Sequence, residues 1–280
     1  IVSFNTCALT GKALRALYNS SELPKQVIVV DNNSEDNSVS VIRSEFPEAV
    51  LIESKINLGF AGGNNLGIRS ATEPYIWLLN SDTETGKKSL EELLDYLESH
   101  PEAGAVGPQL VYPNGAWQST GGFFPTAMNV LYYLLPFTYF LPKVWREKLH
   151  SIAVYPRKIP VRGLDLDYVT GAALLFRRSV IEKVGFMPED YFMYFEETDW
   201  CYQMRKAGLA LRVVDCEPVM HVYGGSFKTK YDRKRLRMFL ASLRKFVRKN
   251  YRGLVKHLIL AEIFLFGRLS IWLKGLKNKL

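Results

Sequence analysis

The sequence predicts an α/β fold in which a mainly parallel sheet is covered by helices on both faces and a helical tail follows. Three observations carry this. Short β-rich runs alternate with stretches of helical periodicity through the first hundred residues. Apolar residues cluster on one face of those helical stretches, as with Leu14, Leu17 and Tyr18 or Leu90, Leu93, Leu94 and Leu97. Regular α/β patterning also returns between Tyr168 and His221, after an irregular interruption. Strand–helix alternation of this kind builds a sheet buried on both sides.

In order, Ile1–Phe4, Gln26–Val30, Val50–Glu53, Tyr75–Leu79 and Ala105–Gly107 read as strands. Ala8–Asn19, Asn37–Phe46, Gly63–Ala71 and Lys88–His100 read as the helices between them. Ligands in such sheets gather beyond the carboxyl ends of the strands, at the switch point. From 109 to 167 Pro, Gly and aromatic residues crowd together, and Val130–Trp145 is almost wholly apolar yet broken by Pro136 and Pro142. That run is too short and too interrupted for a membrane-spanning helix. It reads either as a core-packed excursion or as a hydrophobic surface for an acceptor or a membrane. Tyr231–Leu280 reads as two helices; in the second, Leu254–Leu273, Glu262 and Arg268 interrupt a greasy stretch that ends in Lys274, Lys277 and Lys279. The expected organisation is a domain over 1–227, with 109–167 as an irregular insertion, and a basic amphipathic tail over 228–280.

The 280 residues are 48% apolar and 23% charged, which supplies an ordinary globular core. The net charge of +8 is concentrated between Lys228 and Lys256, where Asp232 is the single acid. Such a stretch wants an anionic partner, either nucleic acid or anionic lipid, or a solvated face. Cys7, Cys201 and Cys216 are odd in number and form no C-x-x-C pair, which argues against a disulfide framework or zinc site and for a reducing compartment. No signal peptide is apparent, and the chain opens on Ile1-Val2-Ser3-Phe4, partway into a strand, so a few residues are expected before it.

Chemistry concentrates at the strand ends. Asp31, Asn32, Asn33 and Ser34 leave a carboxylate and amides where a nucleobase offers imide and carbonyl groups, although Asn33 or Ser34 also suits a helix cap. Asn57 to Gly67 puts glycines ahead of a helix, where backbone N–H groups approach an anion; its spacing is not the dinucleotide fingerprint. Asn80-Ser81-Asp82 presents an acid after an apolar strand, a way of holding a divalent cation against a diphosphate or of capping a helix. Glu196, Glu197 and Asp199, flanked by aromatics, repel one another in a dry site; such crowding raises a pKa or recruits a cation, unless the acids simply enrich the first turn of a helix. His221 follows a short apolar strand beyond that cluster, in the place of a structural histidine or a metal ligand.

Taken together and in order, these segments resemble the inverting GT-A glycosyltransferases of family two, and within them the rhamnosyltransferase-like branch. The match runs from residue 1 to about 226 through Ile1–Asn5, VVDNNS at 29–34, NLGFAGGNNLGI at 57–68, LLNSDT at 78–83, VTGAALLFRR at 169–178, the segment 184–209 and HVYGGS at 221–226. The resemblance implies a GT-A-type α/β domain and a nucleotide-sugar site drawing on Ser3, Asn5, Asp31, Asn32, Asn57, Gly62, Asn80, Asp82 and Gly171. Asp31 and Asn32 would face the base, Asp82 would close a DxD-like metal motif, and His221 stands where some members supply a metal ligand. Glu197 falls at the catalytic base, with Glu196 and Asp199 beside it. Two departures matter: the metal motif keeps one carboxylate, and the base is Glu where Asp is commoner.

The implied reaction moves a sugar, with L-rhamnose from dTDP-L-rhamnose preferred over a UDP- or GDP-sugar, onto a saccharide acceptor with inversion. Mg²⁺ or Mn²⁺ would neutralise the departing diphosphate. The apolar run and basic tail suit a lipid-linked saccharide in cell-surface polysaccharide synthesis, reached from the cytoplasmic face of the membrane through peripheral contact with anionic lipid. Nucleic acid is not the expected partner, because few aromatics (Tyr231, Phe239, Phe246, Tyr251) interleave the basic tail and the acid cluster would then be unexplained. A non-catalytic membrane scaffold with a degenerate transferase domain is the alternative suggested by the reduced metal motif.

Overall fold

The computed structural model describes residues 1–134, 142, 145, 164–222 and 233–277, with side chains as far as Ile271. Most of the apolar run after Leu134, the segment Tyr223–Ser226, the start of the basic stretch at Lys228 and the final lysine Lys279 lie outside the described residues. The chain forms two compact units: Ile1–Gly121 with Pro160–Phe192 and Glu196–Lys228, and Gly122–Ile159 with Met193–Phe195 and Thr229–Leu280.

The first unit opens on three parallel strands, β1 (Val2–Ser3), β2 (Ile28–Asp31) and β3 (Val50–Glu53). Helices α1 (Cys7–Tyr18) and α2 (Ser38–Glu45) connect them, and α3 (Gly59–Ser70) leads on to β4 (Tyr75–Leu79). Ser3 lies opposite Asp31, and a bridge between Val2 and Asn80 aligns the end of β4 with β1. The predicted chemical segments therefore emerge from the same edge.

The larger sheet runs β4-β11-β6-β12-β5. Its members are β5 (Thr83–Glu84), β6 (Ala103–Val111), β11 (Ala173–Arg177) and β12 (Ala210–His221), with β7 (Trp117–Gln118) on β6 and β9 (Leu164–Asp165) on β12. A short pair joins β8 (Gly121–Gly122) to β10 (Tyr168–Val169). β12 is parallel to β6, whereas β11 runs antiparallel to both β4 and β6. The sheet is thus parallel at its start and mixed beyond. Side-chain pattern reports burial and not strand direction, so β11 reads from sequence like its parallel neighbours.

Helix α4 (Ser89–Ser99) packs Leu93 and Leu97 with Val106, Leu175 and Val214 in one core cluster. A second cluster joins Leu14, Leu17, Ile42, Val29, Leu79 and Ala173. The stripe spacing seen in the sequence is therefore the core-facing stripe. Helices α6 (Ser179–Val184) and α7 (Glu196–Lys206) complete this unit, and all three clustered acids fall in the first turn of α7.

The second unit contains α5 (Ala127–Leu134), α8 (Arg233–Asn250) and α9 (Gly253–Lys277). Phe195 packs on Phe239 and Phe246, each at 5.4 Å between ring centroids. Ser270 Oγ donates to the Leu134 carbonyl, tying α9 to α5. α9 buries Ile259 and Ile263 while Leu254, Leu258, Leu265 and Leu269 are exposed along one side. Among the described residues no helix is long and apolar enough to cross a membrane.

Candidate active site

The loop after β2 is built on its own polar side chains. Asp31 Oδ2 accepts the Ser34 N–H at 2.9 Å, and Asn33 takes a left-handed φ of 68°, a conformation Asn tolerates. Neither Asn33 nor Ser34 caps α2: Asp36 Oδ1 accepts the Ser38 N–H, and Ser34 Oγ accepts from Asn5 N–H at 3.0 Å. Asp31 is 3% exposed, and its other oxygen, Oδ1, is buried with no protein partner. A buried acceptor without a donor is costly unless a ligand completes it. Asp31→Ala is therefore expected to raise the donor KM by roughly ten- to hundredfold, the worth of a hydrogen bond to a charged group, with kcat little changed. Steady-state kinetics over a donor titration measures this, and a normal KM with collapsed kcat assigns Asp31 elsewhere.

The other residues expected at the nucleotide divide into two groups. Asn32 is turned inward: its Oδ1 accepts the Leu58 N–H, and its Nδ2 donates to Asn57 Oδ1 and to the Gly59 carbonyl. It anchors the 57–59 loop to β2. Ser3 Oγ is spent in a buried hydroxyl cluster with Thr6 and Thr10, and Thr6 Oγ1 donates to Ser81 Oγ, joining β1 to the end of β4. Asn5, at φ 53°, accepts the Glu35 N–H. Gly62 packs so closely that an added Cβ would lie 2.8 Å from Leu58 Cβ. These side chains are taken up in holding β1, β2 and the 57–59 loop together.

Asp82 is followed by β5 and not by a helix, which removes the capping explanation. β5 pairs with β12, placing His221 opposite Thr83, and His221 Nε2 lies 3.2 Å from Asp82 Oδ1. Gln118 Oε1 sits 2.8 Å from His221 Nδ1 and, being an acceptor, selects the Nδ1–H tautomer. The Nε2 lone pair then faces the Asp82 carboxylate, with Asn80 Nδ2 at 3.4 Å. A carboxylate oxygen and an imidazole nitrogen 3.2 Å apart are donors that would suit a divalent ion. Among the described residues no group of three metal-ligating side chains assembles, and Asp82 with His221 is the pair that stands ready. The sequence reading missed Gln118, which lies in the irregular stretch with no motif around it; its role appears only once β7 pairs with β6 and its Nε2 reaches the His221 carbonyl.

The acid cluster reaches the same region through β11. Asn80 N–H donates to the Ala172 carbonyl, and Gly171 abuts Glu197, whose Cβ would lie 3.6 Å from a Cβ built on that glycine. Glu197 Oε2 is buried without a hydrogen-bond partner. Burial pushes the Glu197 carboxyl above its ordinary range, against the opposing pull of the Glu197 and Thr198 N–H groups. Glu196 is 3% exposed, and Asp199 is fully buried, with Gln203 Nε2 donating to its Oδ1 at 3.2 Å. Burial, the Asp199 charge and a hydrogen bond to Asp199 hold the Tyr191 hydroxyl protonated far above neutrality. Burial likewise lifts the Cys201 thiol on α7 to about 12, which removes it as a nucleophile at neutral pH. Tyr194 and Phe195, just ahead of the acids, both adopt left-handed φ near 70° (69° and 70°), where bulky residues are strained.

Asp31, Asp82 and the acids of α7 thus sit on one mixed α/β scaffold of GT-A type. The chain belongs to glycosyl transferase family 2, whose family model matches residues 1–185. It is 28% identical over 219 residues to the N-acetylglucosaminyl-diphospho-decaprenol L-rhamnosyltransferase of Mycobacterium tuberculosis, covering 74% of this chain and 70% of that one. It is 26% identical over 227 residues to the low-salt glycan biosynthesis hexosyltransferase Agl10 of Haloferax volcanii, covering 78% of this chain and 66% of that protein. In fold it is similar to the mannosyltransferase PcManGT from Pyrobaculum calidifontis in complex with GDP-Man and Mn²⁺, with a TM-score of 0.60, 17% identity, and coverage of 98% of this chain and 71% of that one.

Proposed function

We propose that the protein transfers L-rhamnose from dTDP-L-rhamnose to a lipid-linked saccharide, with inversion, in cell-surface polysaccharide synthesis. The observation that carries a single displacement is Glu197: one buried, unpartnered carboxylate oxygen on a group held above its usual pKa. A base that takes the acceptor's proton as the hydroxyl attacks is all such a displacement needs. Glu196 and Asp199 flank it; Asp199, held by Gln203, positions the turn. Asp31 takes the nucleobase. Asp82 and His221 would hold Mg²⁺ or Mn²⁺, which supplies positive charge to the leaving diphosphate when bound. The sugar preference rests on the mycobacterial relative, whose name gives an L-rhamnosyl transfer to a diphospholipid-linked acceptor.

The reading assigns 1–227 to the transferase domain and 228–280 to a tail that lies on anionic membrane at the cytoplasmic face. α9 supports it with an exposed apolar stripe, and α8 with eight basic residues, Arg233, Lys234, Arg235, Arg237, Arg244, Lys245, Arg248 and Lys249. Leu258→Glu with Leu265→Glu is expected to lower partition onto phosphatidylglycerol vesicles at least tenfold, while nucleotide binding survives. Wild-type binding should weaken with salt, since exposed charge is screened over about 8–10 Å. Unchanged sedimentation of the double variant removes α9 as the contact.

Incubating the protein with dTDP-L-rhamnose, Mn²⁺ and a short-chain N-acetylglucosaminyl diphosphate polyprenol tests the function. The expected product carries rhamnose in the anomeric configuration opposite to the donor's, read by NMR coupling. Transfer from a UDP- or GDP-sugar instead corrects the donor. No turnover with any of them favours the non-catalytic scaffold.

A further inference from the structure

Phe60 stands at the head of α3 among buried small residues, Ala61, Gly62 and Gly63, yet is itself half-exposed. Its ring edge meets the one place where β11's approach and the acid cluster converge. A Cβ built on Gly171 would lie 2.7 Å from Phe60 Cζ, 2.8 Å from Cε1 and 3.6 Å from Glu197 Cβ. Only a glycine lets the ring and the acid's stem close on the same spot. The backbone that carries the ring is held on both sides. Asn64 Nδ2 donates to the Phe60 carbonyl at 2.9 Å, Phe60 N–H approaches the Phe192 carbonyl at 3.4 Å, and Asn32 pins residues 58 and 59 from the β2 side.

A core role would bury a phenyl ring, and a surface role would not place it against the stem of a buried acid. We infer that Phe60 is the apolar wall on which the transferred sugar packs, and so a specificity-determining residue for the donor. A sugar ring carries hydroxyls around its rim and C–H groups on its faces, and a 6-deoxy sugar adds a methyl, so one face suits an aromatic surface. This inference rests on the proposed donor chemistry, and its test separates the two.

Binding of dTDP and of dTDP-L-rhamnose is measured by calorimetry, with Mn²⁺, for wild type, Phe60→Ala and Phe60→Tyr, after thermal unfolding confirms that each is folded. The affinity for dTDP alone should stay within about twofold of wild type. The added affinity that the sugar confers should fall roughly three- to tenfold in Phe60→Ala, the scale of an aromatic contact, and persist in Phe60→Tyr. Equal loss of dTDP and dTDP-L-rhamnose affinity makes Phe60 a loop support and overturns the inference. So does an unchanged sugar increment in Phe60→Ala. A wild type that gains nothing from rhamnose, or from the sugars of UDP and GDP donors, sinks the donor reading itself, a result visible before any variant is compared.

Discussion

Glu197→Gln is expected to lower kcat by about 10²–10⁴-fold while donor affinity stays near wild type. The amide keeps the size and hydrogen-bonding shape of the carboxylate but cannot take a proton, and general-base help is worth that range. pH sharpens the test. Because burial holds the Glu197 carboxyl above its ordinary range, it is protonated and idle on the acid side of that raised pKa. Wild-type kcat should therefore fall as pH drops through it and level off above. The amide variant should lose this limb. Glu196→Gln is expected to cost less. A Glu197→Gln enzyme with most of its turnover, beside a dead Glu196→Gln or Asp199→Asn, moves the base elsewhere in the cluster without disturbing family membership.

Asp82→Ala should have the next largest effect: loss of Mn²⁺-enhanced nucleoside diphosphate binding and a fall in kcat of about 10²–10³-fold, the cost of removing one preorganised charge-stabilising group. Nucleotide titration with and without Mn²⁺ reads the first part independently of turnover. His221→Ala should behave alike, since Asp82 Oδ1 and His221 Nε2 act as one pair at 3.2 Å. Gln118→Leu should weaken the cation by about 10- to 100-fold through tautomer and ring orientation alone. Undiminished metal enhancement in Asp82→Ala would rule out its assignment.

The segments around Asp31 and Asp82 stood out because each follows a β-rich run with polar residues, and the acids around Glu197 because three carboxylates crowd one stretch, which the structure puts in the first turn of α7. Leu14, Leu17, Leu93 and Leu97 were legible because helical spacing and burial are the same statement. The antiparallel course of β11 was not, since a buried strand reads alike in either direction. Nor was the division of labour among the amides. Asn32 and Asp31 are adjacent and equally polar, yet one is consumed by Leu58, Asn57 and Gly59 while the other keeps a buried oxygen without a protein partner. That distinction is made by the partners, which lie some 26 residues away in sequence. Gln118 and Phe60 escaped for the same reason, because a glutamine or a phenylalanine takes its meaning from what it touches.

The pairing of β5 with β12 has a consequence for biosynthesis. Asn80 and His221 meet across 141 positions of sequence, and Asp82 meets His221 beside them. Contacts of such sequence separation form late, after the local helices and the early parallel strands, because the intervening chain must first be ordered. A nascent chain that has not yet delivered β12 can order the β1–β3 strands around Asp31 while Asp82 still lacks His221. If Asp82 and His221 hold the cation as proposed, its retention would report completion of folding, and substitutions that loosen the seam between β6 and β12 are expected to register there before they register at Asp31.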